Sequence, residues 1–67
     1  MDYDINTELG PMHNIAADSV EAAKAIYSAA HRGYDFEGAQ NGEYPGSWFF
    51  INCDGVRVED FTADMPN

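Results

Sequence analysis

Residues 48–61, WFFINCDGVRVEDF, set two apolar runs on either side of an Asp-Gly pair. Asp-Gly between apolar runs is the strongest short-range signal for a two-residue type I′ hairpin turn, because both turn residues need positive φ. A turn of that length fixes the register, placing Cys53 opposite Val56, Asn52 opposite Arg57, Ile51 opposite Val58, Phe50 opposite Glu59, Phe49 opposite Asp60 and Trp48 opposite Phe61. Alternation then divides the hairpin into two faces. Phe49, Ile51, Cys53, Val56 and Val58 form an apolar face suited to lie under a helix, whereas Trp48, Phe50 and Phe61 share the other with Asn52, Arg57 and Glu59. A chain of 67 residues has core enough for only one of these faces. The second face is either covered, by Met12 and Ile15 or by Met65, or open to a partner.

Upstream, Tyr3, Ile5, Thr7 and Leu9 alternate with Asp2, Asp4, Asn6 and Glu8, the pattern of a half-buried strand with an acidic outer side. Gly10-Pro11 breaks this strand, and residues 12–17 read as a connection. Asp18 and Glu21 have capping-box spacing ahead of an Ala-rich stretch, which predicts a helix from Ser19 to His31. Val20, Ala23, Tyr27 and Ala30, with Ile26 beside them, give that helix one apolar stripe, and Gly33 is its expected stop. Tyr34 to Glu37 alternates as a second strand, and residues 38–46, with Asn-Gly and Pro-Gly, form a long loop. The expected fold is α+β: a single domain over residues 1–67, ordered β-α-β-β-β, with an antiparallel sheet and one helix packed on one face.

Twelve Asp and Glu stand against three Lys and Arg, a formal charge of −9. Charge of one sign repels like-charged partners and speeds encounter with opposite ones, which argues against direct nucleic-acid or anionic-membrane binding and for a basic protein surface. Hydrophobic residues make up 45% of the chain, too much for a disordered tail. Cys53 stands alone, so it forms no internal disulfide, and Met1 is followed by polar and acidic residues rather than a signal segment, which sets the expectation of a cytoplasmic protein. No apolar run reaches the roughly 18 residues of a membrane helix.

Chemistry-bearing constellations are missing from the sequence. Cys53 falls on the expected core face and neither His13 nor His31 has a spacing that ties it there, so a non-enzymatic protein is expected. The same three residues lack the paired spacing of a zinc site, and Asp35, Glu37, Asn41 and Glu43 lack the ligand pattern of an EF-hand, so neither metal nor cofactor is expected. The expected contact set is acidic: Asp2, Asp4, Glu8, Asp35, Glu37, Glu43, Glu59 and Asp60, with Trp48 and Phe50 as aromatic anchors. Carboxylates two residues apart on a strand lie about 6.6 Å apart on one face. Asp2 with Asp4, and Asp35 with Glu37, would then offer negative charge at a spacing comparable to backbone phosphates.

In size, acidity and β-α-β-β-β order the whole chain resembles the small phage-encoded anti-CRISPR proteins that inhibit type I surveillance complexes, a class that shares no motif. The resemblance implies a stoichiometric DNA mimic, acting in the bacterial host cell. It would sit on the basic DNA-binding groove of a Cas subunit of Cascade, such as the large subunit, and block target DNA. A monomer is favoured over a dimer. The alternative is an acidic interaction or dimerisation module that uses Trp48, Phe50 and Phe61, with its charge serving solubility.

Overall fold

The computed structural model describes residues 1–63, so the expected role of Met65 as a cover lies outside the described residues. In chain order they form β1 (Asp2–Thr7), β2 (Gly10–Ala16), α1 (Val20–Ala30), α2 (Phe36–Gln40), β3 (Trp48–Cys53) and β4 (Val56–Thr62). The strands make one antiparallel sheet in the order β2-β1-β3-β4, with the helical segments packed over one face. The α+β class and its helix-covered antiparallel sheet are as expected. One strand lies elsewhere in the sequence, and the segment expected to supply it is helical.

The additional strand is β2, where a connection was expected. The chain turns at Glu8-Leu9 and returns along β1, with Pro11 opposite Asn6. Proline lacks an amide hydrogen, a loss that an edge strand such as β2 tolerates. The ladder slips between Tyr3 and Ile5: Asn14 adopts a φ of 58°, and its amide donates to Asp4 Oδ1 at 3.0 Å.

α1 occupies the expected span with a different cap. Ser19 Oγ accepts from the Ala22 amide at 3.1 Å, the role expected of Asp18. Ala23 and Tyr27 are buried, while Ile26 and Ala30, expected along the apolar stripe, are exposed. Arg32, with a φ of 55°, is the left-handed residue that ends the helix, and the Gly33 amide then donates to the Ser28 carbonyl at 2.7 Å.

The strand expected over residues 34–37 gives way to α2. Asp35 accepts the Gly38 amide at 2.9 Å and caps a short helix, in which Phe36 and Ala39, three residues apart, both reach the core. Gly38 is confined by its neighbours, since a Cβ there would overlap the Asp35 carboxylate and lie 2.7 Å from the Tyr44 ring.

The hairpin after Asp54-Gly55 begins in the expected register, Cys53 with Val56 and Asn52 with Arg57, and then slips by one. Val58 is the surplus residue of a β-bulge, so Ile51 pairs with Glu59, Phe50 with Asp60, Phe49 with Phe61 and Trp48 with Thr62. One extra residue exchanges the faces of everything beyond it. Phe61, expected on the open face, packs against the core with its ring 5.8 Å from that of Phe49, and Glu59 turns toward α1. Val58, expected inside, is 47% exposed. Val56 keeps its expected partner yet is 65% exposed, because α1 lies mainly over β1 and β2 and leaves β4 little cover.

The core joins Tyr3, Ile5, Ile15, Ala23, Tyr27, Phe36, Phe49 and Ile51. A polar chain runs into it. The Tyr27 hydroxyl gives its one hydrogen to the Gly10 carbonyl at 2.6 Å, so Thr7 Oγ1 donates to it at 2.7 Å while accepting the Leu9 amide at 2.9 Å. This chain ties the β1–β2 turn to α1.

Candidate partner-binding surface

Alternation along β1 buries Tyr3, Ile5 and Thr7, which leaves Asp2, Asp4 and Asn6 on the open side of the sheet. Phe50 pairs with Asn6 and Asp60, and Asn52 with Asp4 and Arg57, so these residues share that side. Trp48 lies two residues before Phe50, and their half-buried rings are 5.4 Å apart. Arg57 covers part of the gap, with its guanidinium 4.6 Å from the Phe50 ring centre, its Nε donating to Asn52 Oδ1 at 2.7 Å and its Nη1 3.6 Å from Asp60. A shallow hollow of about 190 Å³ remains between Asp4, Asn6, His13, Phe50, Asn52 and Arg57.

Of the acidic contact set, this face gathers Asp2, Asp4 and Asp60 with the anchors Trp48 and Phe50. Glu59 is on the opposite face, paired with Lys24. Glu8, Asp35, Glu37 and Glu43 lie toward the end of the molecule formed by the β1–β2 turn, α2 and the loop before β3. Asp35 and Glu37 are not on a strand, so the strand spacing expected of them does not exist. Only Asp2 and Asp4 keep it.

Glu8 is a structural fastener as well as a surface acid. It accepts from the Tyr34 hydroxyl at 2.9 Å, Ser47 Oγ at 2.8 Å and the Trp48 amide at 3.3 Å. Burial pushes its carboxyl upward, but hydrogen bonds from its own amide, Ser47, Tyr34 and Trp48 outweigh burial and the net shift is downward. Burial and the neighbouring Glu8 hold the Tyr34 phenol well above its ordinary value. These contacts escaped sequence reading because they join positions 26 to 40 residues apart.

Cys53 is half-buried against Met1, Sγ to Sδ at 3.6 Å, and has no basic partner among the described hydrogen bonds. His13 sits 3.5 Å from Asp4, whereas His31 stacks on Tyr27 at 4.1 Å. Among the described residues no group of three or more His, Cys, Asp or Glu side chains could hold a metal ion, and no helix is long and apolar enough to cross a membrane. The arrangement is that of a small α+β domain with one sheet face under helices and the other carrying aromatic rings within a rim of carboxylates. No protein-family model matches the chain, and neither curated proteins nor solved structures yield a match.

Proposed function

We propose that this chain is a non-enzymatic, acidic inhibitor that binds the basic nucleic-acid-binding surface of a partner protein through the open sheet face and excludes the nucleic acid. The observation that carries this reading is the disposition of charge. Of the three cationic side chains, Lys24 is tied to Glu59 and Arg57 to Asp60 and Asn52, which leaves Asp2 and Asp4 without a Lys or Arg partner on the face that carries Trp48 and Phe50, in a chain of formal charge −9. Aromatic centres with a polar rim are the usual anchors of protein interfaces, and the rim charges steer encounter. The particular partner implied by the anti-CRISPR resemblance is a DNA-binding Cas subunit of a type I complex, met in the bacterial cytoplasm.

Competition tests the proposal. A type I complex incubated with the chain should lose target DNA in proportion to occupancy, and binding should weaken steeply as salt rises. Reversing Asp4 and Asp60 to Lys should weaken it further by several kcal/mol. A complex that holds DNA and this chain together at full occupancy would overturn the proposal. The half-buried Trp48–Phe50 pair supports a second reading, dimerisation through the open face. Sedimentation at two concentrations, with Phe50→Ala as the control, separates the two.

A further inference from the structure

A second hollow, of about 270 Å³, opens between the β1–β2 turn, the start of α2 and the loop before β3, lined chiefly by Glu8, Leu9, Tyr34, Asp35, Tyr44 and Ser47. Its volume lies just below the roughly 300–1,000 Å³ of small-molecule sites, which suits one side chain better than a cofactor. Leu9 and Tyr44, at 53% and 46% exposure, are among the few large apolar side chains the fold leaves in water, and both stand here. The hydroxyls of Tyr34 and Ser47 donate to Glu8, and that of Tyr44 to Asp35 at 3.3 Å. Those hydrogens are therefore committed, while Asp35, accepting only the Gly38 amide besides, keeps lone pairs free.

No cation of the chain fills the hollow. Lys24 and Arg57 are engaged elsewhere, and Arg32, next to Gly33 at the rim, lines a separate depression with Leu9, Ala30 and His31. Apolar walls beside carboxylates suit a ligand with an aliphatic stem and a cationic, donor-rich tip. Guanidinium fits better than ammonium, because it is planar, stacks on aromatic rings and meets a carboxylate with two parallel bonds. We propose that this hollow receives one arginine side chain of a basic protein partner, an assignment that rests on the reading of the partner as basic. Trp48 links it to the open face, since its amide donates to Glu8 while Phe50 follows two residues on. One partner surface can then engage both.

The test is an NMR titration of the full chain with N-acetyl-arginine methylamide, its neutral citrulline counterpart and its lysine counterpart. The arginine probe should saturate with a dissociation constant on the order of millimolar, moving the amides of Gly33, Tyr34, Tyr44 and Ser47. The citrulline probe should bind about tenfold more weakly. Asp35→Asn retains a good helix cap while removing the charge, and Tyr44→Leu retains bulk while removing the ring; each should weaken the arginine probe about three- to tenfold without lowering the melting temperature appreciably. Equal binding of citrulline or lysine, shifts that never saturate, or shifts confined to the Asp4–Asp60 face would overturn the assignment. The titration needs no partner. Arginine binding without DNA competition would therefore retain the pocket and sink the inhibitor reading, and the opposite pair of results would do the reverse.

Discussion

Lys24 of α1 and Glu59 of β4 meet at 2.5 Å, with the Lys24 ammonium 5.5 and 5.6 Å from the ring centres of Phe36 and Phe49. The pair fastens the helix to a strand that it barely covers. Both side chains are mostly out of water, at 18% and 28% exposure, so removing one partner alone leaves the other unpaired and poorly hydrated. Lys24→Ala should lower unfolding free energy by about 1–3 kcal/mol, because it strands Glu59 and removes the aliphatic stem from both rings. Lys24→Met, which keeps the stem, should cost less. Urea denaturation of the two variants checks the order.

The β4 bulge makes a sharp ranking. Phe49→Ala and Ile51→Ala should each cost about 2–5 kcal/mol, enough to unfold much of so small a domain. Phe61→Ala should cost more than Val58→Ala, although an unbroken two-residue alternation from Asp54-Gly55 would place Val58 inside and Phe61 outside. Thermal melts with Val58 the more sensitive position would show the chain to be unbulged in solution.

Tyr27→Phe tests the polar chain within the core. It leaves the Gly10 carbonyl and the Thr7 hydroxyl without their partner, at a cost of about 1–3 kcal/mol. Adding Thr7→Val removes one of the stranded groups but also the acceptor of the Leu9 amide. The double variant should therefore be less destabilised than the sum of the singles and more than Tyr27→Phe alone. Denaturant curves for all four members of the cycle report the coupling.

The pH profile should have two edges. Burial, followed in Tyr34 by the Glu8 contact, raises the Tyr27 and Tyr34 phenols above 10.0 in the folded state. Their contribution is complete below pH 10.0 and is lost as pH rises past it, because the unfolded chain then releases protons that the folded chain retains. Glu8 behaves in the opposite sense: lowered below 4.5 on folding, it stabilises above that pH, and its contribution disappears as pH falls through the lower folded value. Protonation of the remaining acids relieves self-repulsion over the same range, so the contribution of Glu8 is isolated by subtracting the profile of Glu8→Gln. Identical acid limbs in the two proteins would show that Glu8 is not linked to folding.

Local patterns were legible where they were local. α1 could be read from Ser19 onward because Val20, Ala23 and Tyr27 keep helical spacing, and the Asp54-Gly55 turn declared itself by its residue types. The Asp2–Asp4 row and the placement of Trp48 and Phe50 on one face followed from alternation on β1 and β3, whose mutual ladder is unbroken. β2 was hidden because Gly10-Pro11 has the same composition in a break as at the start of an edge strand. Tyr34 to Glu37 is too short for either period to prevail, and the Asp35 cap on Gly38 decided for a helix. The Val58 bulge leaves no mark in composition, and Glu8 acquires its partners only when the sheet end closes.

The surplus residue in β4 also shapes one open edge of the sheet. β4 is one of the two edge strands, and a bare strand rim ordinarily serves as a template onto which another chain can zip. At Val58 the cadence of donors and acceptors along that rim is broken, and two carboxylates, Glu59 and Asp60, follow at once. A neighbour seeking to extend the sheet meets a misaligned ladder where it would need an even one. That insulation is geometric, so at this edge of the sheet it persists at ionic strengths that silence the charge.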